Sequence, residues 1–165
     1  MGRHSVRAFK PDPVPREVID LLLAAGTRAP SAGNLQPWFF AVVENRRLRE
    51  GLARAARQNF VSSAPVCLAV CAEPERSARV YGERGRYLYC YQDTAAAIQN
   101  ILLTAAGLRL GSCWVGAFDE REVRRLLALP ERLRPVALVP LGYPERDEPC
   151  RCTRRDMAEV VLVLR

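Results

Sequence analysis

The spacing of apolar positions along this chain changes several times, and each change marks an element. Across residues 16–29, REVIDLLLAAGTRA, Val18, Ile19, Leu22 and Leu23 recur at helical spacing just after Pro11, Pro13 and Pro15, which predicts an amphipathic helix. WFFAVVE (residues 38–44) and PVCLAVCA (65–72) are short, continuously apolar runs, the pattern of strands buried on both faces. Between them, residues 46–58 read as a surface helix. Residues 73–85 are charged and aperiodic, which predicts a loop or loose helix. Residues 91–111 are apolar nearly all round, as expected of a helix in the middle of a protein. SCWVGAF (112–118) and PVALVPLG (135–142) read as strands. Between them Asp119, with Glu122 three positions later, predicts a helix opened by a capping box. VVLVL (160–164) is one more strand. It is strongly apolar and must be paired, within the chain or onto a second subunit.

Strands alternating with helices, without repeats or low-complexity linkers, predict one α/β or α+β layered domain spanning residues 1–165. At 165 residues, 49% of them hydrophobic, the chain can bury roughly 70% of its unfolded surface in one core. Nothing approaches a membrane span or a signal-peptide apolar run, so a soluble, cytoplasmic protein is expected. The formal charge is +7, but the arginines are scattered through every segment and Lys10 is the single lysine, so neither nucleic acid nor membrane is the expected partner.

Six cysteines occur, with no C-x-x-C pair, in a chain that needs no disulfide framework. Buried thiols are expected. The C-x-C pair Cys150 and Cys152 stands far from the sole histidine, His4, so no metal site is predicted. One histidine also leaves little room for a Ser-His or Cys-His nucleophile, which shifts the chemistry to a cofactor. No G-x-G-x-x-G or Walker loop is present, so a phosphate would be gripped by side chains. Arg3, Arg7, Arg151 and Arg154, in irregular segments, are the candidates. The stretch APSAGNLQPW (29–38) carries Asn34 and Gln36 between prolines. It reads either as a simple helix stop or as a loop suited to a polar ring edge. Tyr81, Tyr87, Tyr89 and Tyr91 read either as core or as a lid over a site.

RHSVRAF (3–9), APSAGNLQPW, AIQNILLTAAGLRLGSCWVGAFD (97–119), LVPLGYP (138–144) and RRDMAEVV (154–161), in this order and spacing, resemble the FMN-dependent nitroreductase family over essentially the whole chain. The resemblance implies an α+β fold with a central, mostly antiparallel sheet flanked by helices, and a C-terminal strand exchanged with a partner subunit. It implies FMN held at a homodimer interface, with NADH or NADPH as cosubstrate. Phosphate contact maps to Arg3 and Ser5, with His4 nearby, and to Arg154 from the C-terminal segment. Arg7 maps to the flavin's pyrimidine edge, where a fixed cation stabilises charge on the reduced ring. Pro30, Ser31, Ala32 and Asn34 map to the flavin of the other subunit, with Gln36 buttressing that loop. Gly116 maps to the position whose N–H faces the hydride-accepting nitrogen, with Ala117 beside it, and Gln58 to the flavin edge.

Two departures stand out. Where the resemblance implies an amphipathic helix ahead of the first motif, this sequence has Met1 and Gly2, leaving part of the dimer surface uncovered or the true start upstream. Where it implies a lysine two residues before Arg154, the chain has Cys152, and Arg151 is taken to substitute. The expected activity is hydride transfer from NAD(P)H to electron-poor acceptors such as nitroaromatics or quinones, by a ping-pong course and without a protein acid or base. The alternatives are a specialised flavin-consuming, dehalogenating or dehydrogenating member, or a flavin- or nucleic-acid-binding protein without turnover.

Overall fold

The computed structural model describes residues 3–146 and 153–164. Its centre is β2 (Val66–Ala72), in which every residue is buried. Alternation along this strand divides the core. Val66, Leu68 and Val70 face one layer, where Ile19 and Leu22 of α1 (Arg16–Thr27) meet Ile98 and Ile101 of α5 (Cys90–Gly107). Cys67 and Ala69 face the other, against Leu52 and Ala56 of α2 (Arg46–Ala56), Val61 of the short α3 (Phe60–Ser63) and Val123 of α6 (Glu120–Leu126). The result is a sheet between two helical layers, the α+β arrangement expected.

Four strands form the sheet in the order β1-β2-β4-β3, with β1 at Trp38–Val43, β3 at Gly111–Ser112 and β4 at Arg134–Gly142. All the pairings are antiparallel. Beyond β3, Ser5 forms a parallel bridge with Ser112, and Val6 N–H donates to the Ser112 carbonyl at 2.9 Å. Gly111 is required there, because a Cβ would fall 2.7 Å from Val6 Cγ1. One edge of the sheet is therefore occupied by the first motif, whereas β1 pairs only with β2 among the described strands.

Several elements refine or depart from the sequence pattern. Of the loop or loose helix expected over residues 73–85, the helix is what forms: α4 (Pro74–Arg84), interrupted by the non-helical Gly82, runs into a π-helical turn at Gly85–Tyr89. Arg86 holds that fold-back by pairing with Glu75 and Glu83, a partnership that the lack of apolar periodicity hides. β1 is an edge strand and only half buried, with Phe39 exposed. Only Gly111–Ser112 and a bridge at Val115 are strand-like in residues 112–118. The capping box is half formed. Asp119 Oδ1 accepts from Arg121 and Glu122 N–H, but Asp119 N–H donates to Ala55 O, so Glu122 pairs with Arg125 instead. α5 is central yet leaves one face open, carrying Gln99 and Leu103.

Among the described residues, 160–164 pair with no strand. They follow a short 3-10 turn at Met157–Glu159 and lie exposed, Leu162 at 81% and Leu164 at 85%. None of the four tyrosines at 81–91 is a core residue, and Tyr87 is 66% exposed.

Cys67, Cys71, Cys90 and Cys113 are buried free thiols. Burial pushes Cys67 and Cys71 up to about 12 and Cys90 up to about 11, which keeps them protonated and unreactive at neutral pH. Cys150, Arg151 and Cys152 lie outside the described residues. Among the described residues no helix is long and apolar enough to cross a membrane.

Candidate functional site

The site is built from the segment that closes the sheet edge. From Ser112, which pairs with Ser5, the chain runs along β4, with Val115 and Leu138 exchanging backbone hydrogen bonds at 2.9 Å, and reaches Gly116 and Ala117. Backbone pairing joins the two segments at Ser5 and Ser112, while Arg3 and His4 line one cavity and Gly116, four residues beyond Ser112, lines another. The guanidinium of Arg7 lies over the Phe60 ring, 5.8 Å from its centroid, and this contact links the motif to α3. Gln58, two residues before Phe60, lies exposed at the end of α2.

Above Gly116 the space is open: a Cβ there would meet nothing nearer than Trp114 Nε1 at 3.7 Å. A cavity of about 310 Å³ adjoins it, lined by Tyr91, Phe118, Glu120 and Arg134. Arg134 is spent within this wall. It pairs with both oxygens of Glu120 at 2.9 Å and donates to the Tyr91 hydroxyl at 2.8 Å. That ion pair holds the Glu120 carboxyl below its ordinary range. Arg3 and His4 line a larger cleft, of about 720 Å³, together with Lys10, Arg109, Arg146 and Leu103 and Ala106 of α5.

The loop after α1 lies elsewhere. Ala32 N–H donates to both carboxylate oxygens of Asp93, in the first turn of α5, at 3.2 Å each. Tyr91, which lines the Gly116 cavity, and Asp93 stand two residues apart on a helix of about 3.6 residues per turn, so they project about 200° apart. The helix therefore stands between a chain's own Gly116 and its own residues 30–36. Within the loop, Ser31 Oγ accepts from Gln36 N–H at 3.0 Å, and the Gln36 side-chain amide reaches Asn34 at 3.4 Å, consistent with a buttressing Gln36. Arg154 is exposed and donates to Thr153 O at 2.9 Å. It makes no hydrogen bond to residues 3–7 among those described. Asp93, which the sequence pattern does not single out, is thus the core-side partner of this candidate loop.

The family model described as "Nitroreductase family" matches residues 1–63 and 54–143. The chain belongs to that family. It is 31% identical to the NADH dehydrogenase of Thermus thermophilus over 89% of this chain and 85% of that protein. It is 32% identical to the 5,6-dimethylbenzimidazole synthase of Rhodobacter capsulatus over 87% and 80% of the two chains. The crystal structure of the NADPH:FMN oxidoreductase from Vibrio harveyi complexed with NAD+ superposes with a TM-score of 0.88, at 27% identity, over 99% of this chain and 74% of that one.

Proposed function

We propose that the protein is an FMN-dependent oxidoreductase that takes hydride from NADH or NADPH and passes it to an electron-poor organic acceptor, such as a nitroaromatic or quinone. Its working form is a homodimer with FMN at the subunit interface. The observation that carries this reading is the Ser5–Ser112 bridge, which sets a guanidinium- and hydroxyl-bearing segment beside the chain that leads to the uncovered peptide at Gly116. A planar ring needs such an open backbone surface, and a phosphate needs such cations.

When bound, FMN supplies the hydride-carrying chemistry. Arg3, Ser5 and Arg154 hold its phosphate, with His4 adjacent and Arg151 as a further cation. Arg7, steadied by Phe60, places positive charge at the pyrimidine edge. Gly116 and Ala117 offer backbone to the ring, and Gln58 lies at its margin. Pro30, Ser31, Ala32 and Asn34 come from the second subunit, a division supported by the way α5 separates a chain's own loop from its own Gly116. The exposed residues 160–164 complete the dimer by adding a strand to the partner's β1, the edge that the first motif does not occupy. Tyr81 of α4 and Tyr87 of the π-helical turn, both exposed, are the candidates for a lid that meets the acceptor.

Steady-state kinetics test the reading. One flavin face serving donor and acceptor in turn gives parallel double-reciprocal lines when NAD(P)H is varied at several acceptor concentrations. Intersecting lines, or no NAD(P)H oxidation with any nitroaromatic or quinone, would contradict it.

A further inference from the structure

The loop at residues 30–36 holds an unusual backbone. Gly33, Asn34 and Gln36 all have positive φ, at 56°, 54° and 51°, and the last two are residues for which this region carries a cost. Three such residues within four positions persist only where the surroundings determine them. Gly33 suits its place doubly, since a Cβ there would fall 2.7 Å from the Tyr81 hydroxyl. Inside the loop, Asn34 N–H donates to Ser31 O and Leu35 N–H to Ala32 O, which closes the turn but ties it to nothing. Its polar ties to the rest of the chain are Arg76, exposed on α4, which donates to Leu35 O, and Asp93.

Asp93 differs from Arg76 in where it stands. It is 8% exposed, on the helix whose Ile98 and Ile101 pack in the core, 61 residues from Ala32 in sequence. The α5 backbone continues without a break from the preceding π-helical turn, so Asp93 meets no open helix N-terminus, and its buried charge is compensated by the Ala32 N–H. Burial raises its pKa, and that hydrogen bond opposes the rise. We propose that Asp93 is the positioning residue of the flavin loop: by accepting the Ala32 N–H from a rigid, core-anchored helix, it fixes the left-handed turn that presents Ser31 and Asn34 to the partner subunit's flavin. The inference rests on the reading that this loop meets the flavin across the dimer.

The test is Asp93→Ala and Asp93→Asn in the full-length dimer, with two readouts. Amide hydrogen exchange of the FMN-free protein reports on residues 31–36 directly, and titration with FMN reports on the site. Removing the acceptor is expected to speed exchange in this segment, leave the α5 core protected, and weaken FMN by about tenfold, the loss of one hydrogen bond to a charged group. Asp93→Asn keeps an oxygen facing Ala32 and is expected to stay within about threefold of the parent in both readouts. Should the alanine variant fail to fold, Asp93→Ser, too short to reach Ala32, takes its place. Unchanged exchange at residues 31–36 would overturn the role of Asp93 while leaving the flavin reading intact. Faster exchange with unchanged FMN affinity would overturn both the proposal and the placing of this loop at the flavin.

Discussion

Deleting residues 160–165 is expected to abolish NAD(P)H-driven turnover and to leave a chain that is monomeric or aggregated. Val160 to Leu164 form an unbroken apolar run that is half or more exposed at every position in the isolated chain. Burying five such side chains against a second copy contributes several kcal/mol, at about 1.5–3 kcal/mol for each full burial as an upper bound. Added to β1, the segment also satisfies the backbone groups of the one sheet edge that nothing covers among the described residues. Loss of the dimer separates residues 30–34 from the flavin they are proposed to serve, so FMN affinity and turnover fall together. Light scattering and FMN titration of the truncated chain check this. A truncated dimer that saturates with FMN would show that the strand exchange is dispensable.

Arg154→Ala is expected to weaken FMN by roughly tenfold to a hundredfold, the loss of a charge-assisted hydrogen bond of about 1.5–3 kcal/mol. The ion pairs of the described residues engage other arginines, such as Arg86 with Glu75 and Arg134 with Glu120, whereas among those residues Arg154 bonds to a neighbouring carbonyl alone. Its charge is therefore available to a phosphate. Because a phosphate lies remote from the reacting nitrogen, turnover at saturating FMN should change much less than affinity. Arg7→Ala should alter flavin reactivity as well, since that cation is proposed to face the ring. Titration of the apo-protein, followed by turnover at saturating FMN, separates the two. Unchanged affinity in Arg154→Ala would show that the C-terminal segment does not close over the phosphate.

What the sequence disclosed follows from how each feature is encoded. β2 was legible because burial on both faces requires seven apolar residues in a row. α1 was legible because its buried Ile19 and Leu22 fall at helical spacing. α4 was legible only as a loop or loose helix, because ion pairs such as Arg86–Glu75 shape it, and these link residues eleven apart without an apolar stripe. The half-exposed β1 looked like a central strand because an apolar run reads alike whether or not a second element covers it. The same holds for the open face of α5 and for VVLVL, which the proposed dimer would turn into interface. At the site, the first motif drew notice through its density of polar groups beside a proline-broken stretch. Asp93 did not, because a lone acidic residue within a helix carries no pattern of its own, and its bond to Ala32 exists only once α1 and α5 are packed together.

The most direct measurement is the identity of the flavin carried by the protein. Purified from cells, or reconstituted with flavin in excess and desalted, it is expected to be yellow and to release FMN on denaturation, at one per chain, when the supernatant is resolved by chromatography. The proposed site offers side chains for one phosphate, and the sequence holds no glycine-rich dinucleotide loop. Release of FAD, or a colourless protein that fails to retain FMN after reconstitution, would contradict the account.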